Sequence, residues 1–205
     1  MARLTRSQLL YDGCYAHVIS RSIGKNEIFK DMQDFEAFCE LLLKIKKESE
    51  FQVFHYCFMH THFHLAVKAP EVSRFSKGLQ KLKSQYTYHY HTKYKVSGPI
   101  WRGRFRSLII ENEAYLYACG QYIENNPVRA GMVQKNAEWE YSSARYYSEG
   151  KEDQVVDGYE TANLPDLPKD IDIFDERIFE NGLAIGSGFF KFQSGELVKQ
   201  GRKGI

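Results

Sequence analysis

The chain has 205 residues, of which 43% are hydrophobic and 26% are charged, and its formal net charge is +2. A chain of this length can bury a core without a disulfide or a metal to hold it together. Its apolar runs are shorter than the roughly 20 residues that span a bilayer, and the segment from Met1 to Gln8 lacks the apolar centre of a signal peptide. We therefore expect a cytoplasmic protein that does not enter a membrane.

The first half of the chain predicts three strands and one helix. A strand rich in β-branched and aromatic residues covers Tyr15 to Ser20, and Asp31 is a good N-cap for a helix that runs to about Glu48 with apolar residues at helical spacing. Phe51 to Phe58 and His62 to Lys68 predict two further strands. Because only Met59 to Thr61 separates these two strands, we expect an antiparallel hairpin.

The second half predicts two helices around a fourth strand. Val72 to about Tyr94 has helical periodicity, Phe105 to Ile110 predicts a strand, and Asn112 to Asn125 predicts a helix that Pro127 stops. The order of elements is the split βαβ pattern of an α+β, ferredoxin-like antiparallel sheet with helices on one face. The last helix is additional to this pattern.

Charge is strongly segregated along the chain. Between Arg74 and Arg106 nine basic residues occur without any Asp or Glu, whereas residues 149–180 hold eleven acidic residues against three basic ones. A local excess of one sign creates a field even when the net charge is small. The basic block favours a nucleic-acid partner over the alternative of a solvated helix face. We expect residues 1–147 to form one domain and residues 148–205 a loosely packed, irregular extension, acidic and then basic, with a short helix near residues 174–179.

Histidines alternate along the third predicted strand. In Met59-His60-Thr61-His62-Phe63-His64, alternation places the three histidines on one face and Phe63 on the other, toward the helices. Two imidazoles at positions i and i+2 are close enough to bind one divalent ion and leave room for a substrate oxygen. The spacing favours a metal site over a set of solvated histidines.

The last predicted helix carries Tyr122 and Asn126, four residues apart and therefore on one side of the helix. A phenol is a poor nucleophile near neutral pH unless a cation polarises its target or a base is close by. The alternative for Tyr122 is a tyrosine packed between helix and sheet, because the chain has 14 tyrosines.

Together these segments resemble the HUH single-tyrosine transposases, and among them the REP-associated tyrosine transposases. The resemblance covers roughly residues 10 to 147. It is carried by the histidine strand, by the segment from Tyr122 to Gly131 (YIENNPVRAG), by the opening strand His17 to Arg21, and by Trp101 to Phe105.

The resemblance implies a chemistry for these residues. His62, His64 and Asn126 would bind Mg²⁺ or Mn²⁺, and Tyr122 would attack a DNA phosphate to form a 5′-phosphotyrosine and a free 3′-hydroxyl. Substrates in the family are single strands with short hairpins, as in REP-like repeats. Either a monomer or a homodimer is compatible with the family, because the tyrosine helix of one subunit can serve the histidines of another. The family usually has Met-Pro-Asn where this chain has Met59-His60-Thr61, and for the extra His60 we expect contact with DNA or water rather than metal ligation.

Basic and aromatic residues near the histidine strand are candidate DNA contacts. Lys and Arg neutralise phosphates, and aromatic rings stack on the bases of single strands. We predict DNA contacts for Arg102 and Arg104 beside Gly103, and for Lys81 and Lys83 on the second helix. Trp101 is either a base-stacking residue or a core residue.

Two other functions are open to such a sequence. One is a catalytically silent regulator that binds hairpin DNA, although it would not need the metal and tyrosine residues. The other is a metal hydrolase acting on a small substrate, which would need a carboxylate near the histidines; none follows His64. Nicking without strand transfer would use the same residues as transposition.

Overall fold

The computed structural model describes residues 10–159, 166, 168–169 and 184–187. Its strands are β1 (Cys14–Arg21), β2 (Gln52–Met59), β3 (His62–Ala69), β4 (Arg106–Ile110) and β5 (Ala184–Ile185). Its helices are α1 (Met32–Ser49), α2 (Val72–Tyr94), α3 (Glu113–Glu124), α4 (Asn126–Arg129) and α5 (Ala144–Glu149). Among these residues no helix is long and apolar enough to cross a membrane.

The sheet has the order β2-β3-β1-β4-β5. The first four strands pair antiparallel, and β5 adds to the edge parallel to β4. The predicted α+β, ferredoxin-like arrangement is therefore confirmed, with one strand more than the sequence indicated.

Helices α1 and α2 cover one face of the sheet. Asp31 caps α1 by accepting a hydrogen bond from the Asp34 backbone N–H at 3.2 Å, as its position before the apolar stripe predicts. The apolar stripes of both helices pack on the inward-facing residues of β3, Phe63, Leu65 and Val67, all of which are fully buried. This is the larger core of the protein. Because side chains alternate along a strand, His62, His64 and Ala66 of β3 lie on the opposite face of the sheet.

Helix α3 docks on that other face, against β2 and β3. Leu116 and Ile123 are buried there in a second apolar cluster, together with Ala66 of β3. Helix α3 ends at Glu124 with Asn125 as its C-cap, as predicted. A separate short helix, α4, begins at Asn126, because proline is tolerated in a first helical turn. Tyr122 and Asn126 are thus presented by two consecutive short helices.

The described part of the extension is not loosely packed, and that prediction is wrong for residues 151–159 and 184–187. Val155 and Val156 are buried in the larger core, and Ile185 in the smaller one. Asp157 ties the segment to β2, since its Oδ2 accepts from the Val53 N–H at 2.8 Å and its own N–H donates to the Val53 carbonyl at 2.6 Å. Helix α5 runs across the predicted boundary at residue 147, and the helix predicted near residues 174–179 lies outside the described residues.

Candidate active site

His62 and His64 lie side by side on the α3 face of the sheet. Their ring centroids are 5.0 Å apart with the planes at 78°. His64 is fully buried, in register with Ile19 of β1, while His62 at the strand end is half-buried. The alternation predicted for these two residues holds, because Phe63 between them points into the α1–α2 core.

The Nδ1 atoms of both histidines are engaged by neighbouring side chains. His64 Nδ1 lies 2.9 Å from His17 Nε2, and His62 Nδ1 lies 2.9 Å from Thr61 Oγ1. A metal-binding histidine commonly uses one ring nitrogen for the metal and the other for an orienting hydrogen bond. In this arrangement each histidine would bind a metal through Nε2.

His64 is held in its neutral form. Burial lowers the pKa of His64 well below its usual value, and the neighbouring basic groups His62, His17, Arg21 and Arg129 lower it further. A histidine must be neutral to coordinate a metal, so the surroundings of His64 favour that role at neutral pH.

Tyr122 packs edge-on against the histidines of its own chain. Its ring centroid is 6.1 Å from that of His64 and 6.0 Å from that of His17, with interplanar angles of 75° and 73°. The side chain is fully buried. One chain therefore brings the tyrosine helix and the histidine strand together without a second subunit.

Asn126 turns its amide nitrogen into the helix. Its Nδ2 donates to the carbonyls of Tyr122 at 3.2 Å and Ile123 at 3.1 Å. The side-chain oxygen is the remaining polar atom of this group, and it is the atom that could bind a cation.

The donor set of His62, His64 and Asn126 fits a divalent cation that accepts nitrogen and oxygen ligands. Within the described ranges no group of three His, Cys, Asp or Glu residues is arranged to hold a metal. The amide oxygen of Asn126 is a candidate ligand of a type outside these four.

Four polar residues around this site had no role predicted from the sequence. They are His17, Arg21, Arg106 and Arg129. His17 and Arg21 share the face of His64 because strand residues alternate, and the pairing of Arg106 with Ile19 places Arg106 beside them. The i, i+2 spacing of His17, Ile19 and Arg21 on β1 could have predicted that His17 and Arg21 lie on this face.

A family model described as "Transposase IS200 like" matches residues 10–126, more than half of the chain. The chain belongs to the IS200-like transposase family. A curated Haemophilus influenzae protein named "Putative REP-associated tyrosine transposase" is 32% identical over 98 residues, which cover 42% of this chain and 55% of that protein. The chain thus aligns with only about half the length of this relative.

A solved structure titled "Structure of the REP associates tyrosine transposase bound to a REP hairpin" has a similar fold. Its TM-score is 0.62, with 20% identity, over 78% of this chain and 93% of that one. At this identity the match shows the shared fold, and it agrees with the family assignment.

His60 does not share the face of the other histidines, so the prediction from strand alternation is wrong for this residue. The turn between β2 and β3 directs its ring against Phe35 and Trp139, and its Nδ1 lies 2.6 Å from the Phe29 carbonyl oxygen. The strand alternation does not extend to His60 because the strand begins at His62. The hydrogen bond and ring contacts make His60 part of the packing at the α1 side.

Trp101 and Lys83 are buried. Of the two alternatives for Trp101, the structure shows the core residue, and the predicted DNA contact of Lys83 is not compatible with its burial. The Trp101 ring packs on Phe63 and is 8% exposed, and its Nε1 donates to the Lys83 carbonyl at 3.2 Å. Lys83 Nζ donates to the Gly103 carbonyl at 2.7 Å. Lys83 is buried because it lies four residues after Leu79 on the apolar stripe of α2.

The other predicted contacts lie at the surface. Arg102 and Arg104 are exposed, and the Arg102 N–H donates to the Arg21 carbonyl at 2.8 Å. Since Arg21 pairs with His62, Arg102 lies at the histidine end of the sheet. Lys81 is also exposed, but it forms an ion pair with Glu48 at 2.6 Å.

Proposed function

We propose that this chain cleaves and rejoins single-stranded DNA at hairpin-containing sites through a 5′-phosphotyrosine intermediate on Tyr122. The observation that carries the proposal is the packing of Tyr122 against His64 in a chain of the IS200-like transposase family. Hairpin DNA is the substrate class because the solved structure with the same fold is described as bound to a REP hairpin.

The proposed step is a transesterification. The Tyr122 hydroxyl oxygen attacks the scissile phosphorus, a new O–P bond forms, and the bond from phosphorus to the 3′ oxygen breaks. The phenol proton is lost and the 3′ oxygen gains one, so the products are a 5′-phosphotyrosine and a 3′-hydroxyl. The reverse reaction with another 3′-hydroxyl rejoins DNA without ATP. Because Tyr122 is fully buried, the groups that cover it must move before the phosphate can reach the hydroxyl.

The residues around Tyr122 would each have a part in this reaction. His62, His64 and Asn126 would hold Mg²⁺ or Mn²⁺, which supplies Lewis acidity to the phosphate when bound. The hydrogen bond between His17 and His64 fixes the orientation of the His64 ring. Arg102 and Arg104 would contact DNA phosphates at the histidine end of the sheet.

A second candidate function is a regulator that binds hairpin DNA without cutting it. The full burial of Tyr122 favours this alternative, since a nucleophile that never becomes accessible cannot react. The two functions share the DNA-binding surface and differ in whether a covalent adduct forms.

Adduct formation is the first experiment. The full chain would be incubated with labelled single-stranded hairpin oligonucleotides, taken from repeats near its own gene, in Mg²⁺ or Mn²⁺. We expect a metal-dependent covalent adduct that peptide mass spectrometry locates on Tyr122. The adduct should be lost in Tyr122→Phe and His62→Ala, and it should persist in Tyr117→Phe, which removes a partly exposed hydroxyl from the same helix.

The outcomes separate the candidate functions. Tight hairpin binding without an adduct in either metal would favour the regulator. An adduct on a tyrosine other than Tyr122 would contradict the assigned nucleophile while leaving the transferase activity in place.

A further inference from the structure

Arg129 lies directly on the ring of Tyr122. The carbon of its guanidinium is 3.9 Å from the centroid of the phenol ring, and Nη1 donates to the Tyr122 backbone carbonyl at 2.9 Å. Arg129 is the last residue of α4, three residues after Asn126. The guanidinium therefore covers one face of the proposed nucleophile from within the same helical segment.

The rest of this guanidinium is buried without an acceptor. Among the described residues, Arg129 Nε and Nη2 have no hydrogen-bond partner although both atoms are shielded from solvent. A guanidinium keeps its charge in proteins, and a buried donor without a partner costs about 1–3 kcal/mol. Such a group is uncommon in a folded protein and indicates a strained or functional position.

The neighbouring charges do not supply the missing acceptor. Glu124, in the same helical segment, is held by His55 at 2.8 Å and by Ser143 at 2.7 Å. Arg21 and Arg106 lie on the same face of the sheet as His64. Guanidinium groups on this face carry the sign of charge that attracts an anion from outside.

We infer that Arg129 is a further catalytic residue that binds a non-bridging oxygen of the phosphate attacked by Tyr122. The inference rests on the proposed function, because the anion is the scissile phosphodiester. Nε and Nη2 form one edge of the planar guanidinium and can donate two parallel hydrogen bonds to a phosphate. Fixed donors aimed at a phosphoryl group stabilise the charge that develops in the transition state.

A purely structural role for Arg129 would be to cap α3 through its bond to the Tyr122 carbonyl. The two roles differ in their dependence on the charge of the substrate. Adduct rates would be measured for the wild type, Arg129→Ala and Arg129→Lys on the mapped cleavage site, with a normal phosphodiester and with each methylphosphonate diastereomer. A methylphosphonate replaces one charged oxygen by a neutral methyl group.

We expect Arg129→Ala to lower the adduct rate about 100-fold or more on the phosphodiester, the typical effect of removing one such donor. On one methylphosphonate diastereomer the ratio of wild-type to variant rates should fall below about 5-fold, because the interaction is then absent from both enzymes. Arg129→Lys keeps the charge but not the two-donor edge, so its adduct rate on the phosphodiester should lie between those of the wild type and Arg129→Ala. Equal losses on all linkages would overturn the inference, and Arg145→Ala serves as an arginine-loss control.

A second measurement does not depend on catalysis. In the full chain labelled with ¹⁵N-arginine, the Arg129 Nε–H signal would be assigned by its loss in Arg129→Lys and followed during titration with inorganic phosphate at constant ionic strength. We expect a saturable shift of that signal. Arg145 is the internal control, since its Nε already donates to the Ala137 carbonyl at 2.7 Å. No saturable shift would overturn the anion site, and a shift in a protein that forms no adduct would refute the proposed function alone.

Discussion

Asp34 is a buried carboxylate that joins the start of α1 to the end of α2. Its side chain is fully buried and accepts hydrogen bonds from the Lys30 N–H at 2.9 Å, from Lys93 Nζ at 2.9 Å and from the Tyr94 hydroxyl at 2.6 Å. Burial by itself would raise the pKa of Asp34, but the hydrogen bonds from Tyr94, Lys93 and Lys30 outweigh it, and the pKa is lowered.

We predict that Asp34→Asn lowers the free energy of unfolding by about 2 kcal/mol at neutral pH, because hydrogen bonds to a charged group are worth about 1.5–3 kcal/mol. A carboxylate whose pKa is depressed by folding stabilises the protein above its unfolded pKa of about 3.9. That contribution is lost as the pH falls through the folded pKa. The difference between wild type and variant should therefore shrink below about pH 4.

Urea unfolding at several pH values checks this prediction. Glu36→Gln is the matched control, since Glu36 is an exposed carboxylate on the same helix and should change stability by less than about 0.5 kcal/mol. A difference between Asp34→Asn and the wild type that stays constant down to pH 3 would contradict the assigned linkage.

At the scale of secondary structure, most helices and strands of the described chain could be predicted within two residues. Helix α2 has the predicted limits, Val72 and Tyr94, because one apolar stripe runs its whole length. The turn at His60 and the loop holding Trp101 could not be predicted, since their positions depend on contacts with α1 and α2 rather than on a repeating pattern. By the same periodicity Lys83 falls on the buried stripe of α2, although its charge is typical of an exposed residue.

The docking of α3 depends on a buried polar contact that no periodicity indicates. His55 of β2 and Glu124 of α3 are both buried, with His55 Nδ1 and Glu124 Oε1 2.8 Å apart. Ser143 Oγ donates to the same Glu124 oxygen at 2.7 Å. Gly120 faces the His55 ring, and a side chain there would collide with it. A glycine one turn before Glu124 thus lets the helix approach β2 closely.

We predict that Glu124→Ala lowers the free energy of unfolding by about 3 kcal/mol, because His55 and Ser143 lose their shared acceptor and a small cavity forms. Gln121→Ala, on a partly exposed position one turn earlier in α3, should stay within about 0.5 kcal/mol. Urea unfolding of both variants measures the difference. Equal small effects would show that α3 is held by its apolar contacts alone.

For the whole molecule, the division into a domain and an extension was the least predictable feature. Acidic composition favours a solvated segment, and only the apolar pair Val155-Val156 indicated otherwise. The pairing of His62 and His64 on one face was more predictable, because their i, i+2 spacing is local, whereas the contact of Tyr122 with His64 depends on the docking of α3. The position of Arg129 over Tyr122 could not be predicted, since it depends on the separate short helix α4 that follows α3.

The described part of the extension should contribute a large share of the stability of the whole protein. We predict that a chain ending at Glu149 loses about 5 kcal/mol of unfolding free energy, because it lacks the buried Val155, Val156 and Ile185, each worth about 1.5–3 kcal/mol. Domains of this size are stable by only about 5–15 kcal/mol. The shortened chain should therefore unfold at much lower urea or fail to fold.

Two point variants separate this loss from a general effect of altering the extension. Val155→Ala should lower the urea midpoint, whereas Asp166→Ala should leave it unchanged because Asp166 is exposed. An unchanged midpoint for the shortened chain would mean that residues 10–149 fold independently. The packing of Val155 and Ile185 onto two different faces of the sheet argues against that outcome, since removing the extension exposes both cores.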